Sequence, residues 1–397
     1  MKGFLIQIIQ TAIAEWKYIS TSIPILLVLF GGNVGYGILY NYMYSPNIVK
    51  KSPIAVVDMS HSKLSNTFIQ HLDATEQVNV EYVLSDYAEG EKLVKERKIA
   101  GFLYIPKSFS LLGIEDNRSN IMAYGSTLSF LDFLMLQEAT TYTLLDFNDM
   151  LRPLYVMQLS DKQKFAIANM QRIQVIPTVM YNPTEGYGTY LMPPVMMIIL
   201  FQTLLICVSS SCGNEIETKL LHINKIYPYI QCKGSTMVMG KVVAYTTIYF
   251  VFSFFLLGLI PSAFNLPNIG NATTIIALVV PFLFSSSCFA LCFLPLYNNS
   301  EKPLLFIVFM SIILLFFSGI SYPLELMPWY WKIMHYVFPS ATAAMAFVKI
   351  NSMGATLSDI RPEIITLCIQ CAAYFIAATF IYNKAIKKKI FSPKITY

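Results

Sequence analysis

The sequence predicts an α-helical polytopic membrane protein with six transmembrane helices, both termini cytosolic (N-in, C-in), and an inserted α/β extracytoplasmic domain. Three observations predict it. First, 55% of the 397 residues are hydrophobic and 13% are charged, against roughly 25% charged for a soluble domain. Second, six apolar runs approach the roughly 20 residues a bilayer crossing needs: 22–42, 188–209, 238–260, 273–296, 303–320 and 364–382. Third, residues 45–186 hold 29 of the 51 charged side chains, which marks one water-exposed domain between spans. A soluble cytosolic enzyme and a disordered chain are thereby excluded. A net charge of +5 gives no basic field for nucleic acid.

Residues 1–20 precede the first apolar run. Leu5, Ile8, Ile9, Ala12, Ile13, Trp16 and Ile19 recur at three- and four-residue spacing, while Lys2, Gln7, Gln10, Glu15 and Lys17 fall mostly off that stripe. An amphipathic helix in the cytosolic interface fits, with Trp16 at headgroup level. The plainer alternative is a ragged start to the first span. The first span itself, 21–44, reads as an uncleaved anchor, because its apolar run starts late and no small-residue cleavage site follows it cleanly.

The domain at 45–186 alternates strand-like and helix-like patches. Strands are expected at 54–58, 78–83, 99–105 and 121–124. Ser60 or Ser62 could cap a helix running to His71, and Asp86 one over 87–97. Longer helices are expected at 129–151 and 161–173. Asp58 at a strand end could be an active-site carboxylate, a metal ligand or a capping group. No second carboxylate or histidine stands at a spacing that completes a site.

Orientation follows from lysine and arginine in short loops. With both termini inside, cytosolic segments collect 12 positive and 4 negative residues, and the outside 16 and 19. Lys241, near one end of the third span, is expected to snorkel to the interface. The tail 384–397 is basic and cytosolic. None of the seven cysteines lies in 45–186, so that domain needs a core of its own. Cys288/Cys292 and Cys368/Cys371 have helix-face spacing that fits a metal or, more simply, buried thiols serving as small apolar residues.

Several activities lack their residues. The string Gly234-Ser-Thr-Met-Val-Met-Gly240-Lys241-Val242 has one residue too many between its glycines, and valine where a Mg²⁺-binding hydroxyl belongs, so it is no phosphate loop. No catalytic triad, zinc-protease motif or mid-span carboxylate is present. Transport by this chain would draw its energy from a partner.

The loop 213–228 joins spans two and three. Glu215, Glu217 and Lys219 precede Leu220, Leu221 and Ile223, which predicts a short amphipathic helix stopped near Pro228. Such a helix suits docking into a groove on another protein; a solvated turn is the plain alternative. The segment 321–354 is apolar and aromatic but is broken by Pro323, Pro328 and Pro339, so it cannot be one clean span.

Over nearly its whole length the chain resembles type-2 ABC exporter permeases of the subgroup with a large extracytoplasmic domain between spans one and two. The resemblance rests on Ile54-Ala-Val-Val-Asp58 with Ser60, Gly101-Phe-Leu-Tyr-Ile-Pro-Lys-Ser-Phe109, Tyr181-Asn-Pro-Thr184, Pro193-Pro194, Glu215-x-Glu217 and Gly240-Lys241. It is strongest at Phe317-Ser-Gly-Ile-Ser-Tyr-Pro-Leu-Glu-Leu-Met-Pro328, Pro339 and Asn351-Ser-Met-Gly354. One departure is Thr218-Lys219, where the family often has Gly-Thr soon after the second glutamate.

The resemblance implies a permease domain over 187–383 and an ATPase-coupling helix at about 213–228 carrying Glu215, Glu217, Lys219, Leu220 and Leu221. It implies a connector helix at 1–20 with Ile13 and Trp16, and re-entrant extracellular helices at about 321–354 around Gly319, Pro323, Pro328 and Pro339. It further implies an exporter in a cell membrane, the bacterial inner or plasma membrane; the mostly apolar span surfaces favour an amphipathic or lipid-like substrate over a small ion. The partners would be a separate ABC ATPase subunit, a second permease copy or paralogue, and a possible periplasmic adaptor. ATP and Mg²⁺ would be bound by the ATPase; this chain is expected to hold no cofactor or metal and to be no enzyme. Two rival readings are a membrane receptor or docking protein and a non-transporting envelope scaffold, each acting through the exported domain.

Overall fold

The computed structural model describes residues 2–44, 50–111, 120–125, 130–157, 186–227, 233–296, 302–388 and 391. The helix expected at 161–173, the Tyr181–Thr184 motif, Pro228, Cys232, Lys389 and Lys394 lie outside the described residues. The chain divides into two compact units, Met1–Asn47 with Val179–Tyr397, and Ile48–Thr178.

The smaller unit is built on a four-stranded sheet of order β2-β1-β3-β4: β1 (Ser52–Asp58), β2 (Val78–Leu84), β3 (Gly101–Ile105) and β4 (Met122–Gly125). β1 pairs in parallel with β2 and β3, and β3 pairs antiparallel with β4. β1 carries a continuous apolar run, Pro53 to Val57, because both its faces are covered. On one face Ile54, Val56, Leu103 and Ile105 pack against Phe68 and Leu72 of the helix Lys63–Asp73 and Leu136 and Phe147 of Phe130–Met157. On the other, Ala55, Val57 and Phe102 meet Leu93 and Val94 near the end of Tyr87–Lys95.

Caps start these helices where the sequence offers them. Ser62 and Ser65 form a reciprocal capping box, and Asp86 accepts from the Ala88 N–H. Asp58 is buried and accepts from the Ser60 and His61 N–H groups and, at 2.6 Å, from the Ser65 hydroxyl. Its oxygens are thus committed to the turn and cap that follow β1.

The larger unit is helical. In chain order of the whole molecule we label α1 (Lys2–Thr21), α2 (Ile23–Met43), then α3 (Lys63–Asp73), α4 (Tyr87–Lys95) and α5 (Phe130–Met157) of the smaller unit. There follow α6 (Tyr187–Thr218), α7 (His222–Ile226), α8 (Gly234–Ala263), α9 (Ala272–Cys292), α10 (Lys302–Phe317), α11 (Trp329–Val337), α12 (Pro339–Met353) and α13 (Arg361–Lys387). Among the described residues, five helices (α2, α6, α8, α9 and α13) are long and apolar enough to cross a membrane, or six if the bent pair α11–α12 counts as one. The fifth expected span, 303–320, is shorter than expected. α10 has 16 residues, or about 24 Å at 1.5 Å per residue, against roughly 30 Å of hydrocarbon. It ends where Gly319 turns to φ +83, a conformation favoured for glycine.

α6 is the central helix, with 78% of its most apolar stretch buried, against 17% for α13. Two spans are locally π-wound, α2 over Val28–Gly35 and α8 over Phe255–Leu259. Such widenings shift the faces on either side. Gly32 lies against Thr203 of α6, where an added Cβ would come 2.5 Å from Thr203 Cγ2.

The proline-broken segment forms the bent pair α11–α12, turning 89° at Phe338–Pro339. Pro323 and Pro328 are exposed and precede a single turn and α11, while Pro339 is buried at the start of α12. Freed carbonyls in hydrocarbon need donors. α13 supplies them: Gln370 Nε2 donates to Tyr336 O at 2.6 Å and the Tyr374 hydroxyl to Val337 O at 2.5 Å. His335 Nδ1 donates to Phe317 O at 2.8 Å and ties α11 back to the end of α10.

Candidate functional site

The loop expected to be one amphipathic helix over 213–228 has a different build. Residues 213–218 continue α6, and the chain turns at Lys219, which adopts φ +53, ψ +25. Lys219 N–H bonds to Ile216 O and Leu220 N–H to Glu215 O, a Schellman closure of the helix. α7 then runs only from His222 to Ile226.

This geometry splits the predicted contact residues. Glu217 and Lys219 are exposed and Leu220 is half-buried. Glu215 and Leu221 face inward, at 1% and 6% exposure. Ile13 and Trp16 are both 41% exposed, and Trp16 Nε1 donates to Ala244 O at 3.1 Å, fixing α1 to α8. The face of α1 that meets the protein carries Thr11, Ala12, Glu15 and Ile19, whereas Leu5, Ile9, Ile13 and Trp16 look outward. Glu15, read from sequence as lying mostly off the apolar stripe, is among the most buried residues of the helix.

Glu15 lies in a buried ionic cluster with Glu215, His222 and Lys241. Lys241 is not at an interface; it is fully buried, and its ammonium contacts Glu15 Oε1 and lies 3.0 Å from Glu215 Oε2. The second approach is an ion pair whose alignment falls short of a hydrogen bond. His222 Nδ1 is 3.1 Å from Glu15 Oε1 and 3.5 Å from Glu215 Oε1. Ser211 and Tyr245 hydroxyls donate to Glu15 Oε2 at 2.9 and 3.1 Å. Glu215 Oε1 also accepts from the His222 backbone N–H at 2.9 Å, which seats the first turn of α7. The Tyr18 ring stacks on His222 at 3.8 Å.

Burial alone would raise the Glu15 carboxyl, but Lys241 and His222 more than reverse that and hold it well below the usual carboxylate range. Taking an ion out of water costs several kcal/mol, roughly, unless partners replace the water. Each carboxylate here has several. The cluster joins four elements, α1, the end of α6, α7 and the start of α8, into one block. Glu15, Glu215 and His222 bring ligand atoms within 4.8 Å of one another. A cation there would meet the Lys241 ammonium, which already contacts both carboxylates.

Gly240 explains how Lys241 reaches so far. A Cβ at residue 240 would lie 2.5 Å from Thr11 Cβ and 2.9 Å from Ile8 O. The glycine lets α1 lie directly on α8, and the next residue then projects its ammonium to Glu15. Sequence reasoning passed over Glu15, His222 and Lys241 as site residues. One signal was available: Lys241 is the only charged residue from 234 to 300, and a lone cation in apolar surroundings requires an anionic partner.

The chain matches the model of the family described as ABC-2 family transporter protein across residues 16–380. No curated protein and no solved structure matches it. The family match, spanning most of the chain and joined to its long apolar helices, establishes that it belongs to the ABC-2 transporter family, as a permease of an ABC transport system.

Proposed function

We propose that the chain is the permease half of an exporter that moves an amphipathic or lipid-like substrate outward, driven by a separate ATPase. Two halves, identical or paralogous, pair over two ATPase subunits. The termini and the α6–α7 turn face the cytosol, in keeping with the 12 to 4 excess of positive over negative residues on that side. The domain at 45–186 lies outside, where it gates the exit or docks an adaptor.

The buried cluster of Glu15, Glu215, His222 and Lys241 carries this reading. It lies beneath the exposed Glu217–Lys219 tip, so a partner pressing on that tip moves α1, α6, α7 and α8 together. A lever needs such rigidity, and loosely packed surface turns do not provide it. Substrate movement follows when ATP-driven closure of the partners displaces the coupled blocks.

The test is gentle extraction of the full chain, with co-purification and ATP turnover measured together. An ATPase is expected to co-purify, and Glu217→Arg with Leu220→Glu to remove it or its stimulation. Absence of any ATPase after gentle extraction would overturn the reading in favour of a receptor or scaffold acting through 45–186.

A further inference from the structure

The charge count of the buried cluster closes only if its histidine is a cation. Glu15, Glu215 and Lys241 together leave one net negative charge, and none of them is more than 1% exposed. An uncompensated charge sealed from water is strongly destabilising. Both Glu215 oxygens face donors, the His222 backbone N–H and the Lys241 ammonium, which leaves no acceptor for a proton placed there. His222, itself buried, is the remaining member of the cluster that can supply the missing positive charge.

The ring geometry points the same way, because both nitrogens face acceptors. Nδ1 lies 3.1 Å from Glu15 Oε1 and 3.5 Å from Glu215 Oε1. Ser211 Oγ, also 3.5 Å away, directs its proton to Glu15 Oε2 and so offers Nδ1 only lone pairs. On the opposite side of the ring Nε2 lies 3.3 Å from Asn214 Oδ1. That atom is the amide oxygen, since the Lys225 ammonium, which has only donors, approaches it at 3.4 Å. A neutral imidazole has one N–H and would set its bare nitrogen against an acceptor; only the imidazolium donates on both sides. The Tyr18 ring lies over the imidazole at 3.8 Å and 21° and presents the negative face of its π system.

We propose that His222 is held as an imidazolium and that its second proton pins the α6–α7 turn to α1, which makes the coupling surface sensitive to cytosolic pH. The inference rests on the coupling role proposed above and adds its regulation. The charged and titratable groups around the ring are Glu15 and Tyr18 of α1, Glu215 of α6, Lys225 of α7 itself, and Lys241 and Tyr245 of α8, the last two through the carboxylates. Lys225 is exposed, so water and salt screen its repulsion. The sign follows from the count. Removing the proton leaves the cluster negative and one ring nitrogen bare against an acceptor, so α7 loosens from α1 as pH rises.

The test uses the full chain in nanodiscs, with ¹⁵N-labelled histidine. NMR is expected to show both His222 ring nitrogens protonated at neutral pH. Among the four histidines, its signals are those missing in His222→Gln or, if that variant fails to fold, those left when His61, His71 and His335 are replaced by Gln. A neutral tautomer overturns the proposal. Hydrogen exchange then reads the pinning. His222→Gln should lower amide protection over 222–227 about tenfold or more. Adding Glu15→Gln, which returns the net charge to zero, should bring protection back to within about threefold of the parent. No recovery in a folded double variant would mean that the ring acts by its shape alone, and would overturn the proposal. As pH is raised through the point where the ring signals report loss of the proton, protection corrected for the intrinsic exchange rate should fall in the parent and stay level in the double variant; a level parent overturns the proposal. An imidazolium with proton-dependent protection but no co-purifying ATPase would leave this inference standing and sink the transport reading. A neutral ring beside a co-purifying ATPase would do the reverse.

Discussion

The Lys241 ammonium and the Glu15 carboxylate are in direct contact although 226 residues separate them, and neither is more than 1% exposed. α1 is therefore held to α8 by charge at a point neither helix could tolerate alone. Gly240 lets the two backbones approach, and Glu215 and His222 extend the contact to the turn that follows α6.

Lys241→Met leaves two carboxylates facing each other without water. Loss of about 3–5 kcal/mol is expected, as for breaking a buried ion pair from one side. Adding Glu15→Gln should restore at least half of it. Thermal unfolding in detergent measures both, and an unchanged Tm for Lys241→Met alone would remove the cluster's structural role.

Gly240→Ala should lift α1 from α8, because the new methyl would stand 2.5 Å from Thr11 Cβ. Overpacking of this kind costs about 1–3 kcal/mol. Faster hydrogen exchange over residues 8–19, with exchange in the smaller unit unaltered, is the expected signature.

Glu15 titrates well below its ordinary range in the folded protein. Its depressed value means its stabilising effect is complete above the unfolded pKa of about 4.3 and is lost as pH falls through the folded value. Tm should therefore fall below about pH 4.5, and Glu15→Gln should flatten that acid limb while lowering Tm at neutral pH. An acid limb of unchanged slope would contradict the assignment.

Lys219 holds a left-handed conformation in an exposed turn, at a cost of about 1 kcal/mol that glycine does not bear. Lys219→Gly should raise stability by about that amount, and Lys219→Val should lower it, in chemical denaturation of the detergent-solubilised protein.

Much of the fold follows from local pattern. The short apolar strand Ile54–Asp58, the caps Ser62 and Asp86, and the apolar stretches of α2, α6, α8, α9 and α13 stand in the structure where the residues suggest them. These features depend on neighbours within a few residues, as periodicity and capping do. α10 proved shorter than its apolar run because Ser318-Gly319 turns the chain. The loop after α6 read as one helix because Glu215, Glu217, Leu220 and Leu221 make a plausible face, while the left-handed turn at Lys219 cannot be seen in composition.

The sequence by itself determined that this chain is membrane-bound, where its charge is gathered, and where the strands and the long apolar helices of the described residues lie, because hydropathy and short-range spacing are properties of the chain alone. Only the tertiary structure decided that Glu15, Glu215, His222 and Lys241 share one buried site. The physical reason is that a charge or amide in an apolar helix announces that it needs a partner, but not which of several distant helices supplies it. That choice is made by close packing at Gly32 and Gly240, where the absence of a side chain sets how near two backbones can come.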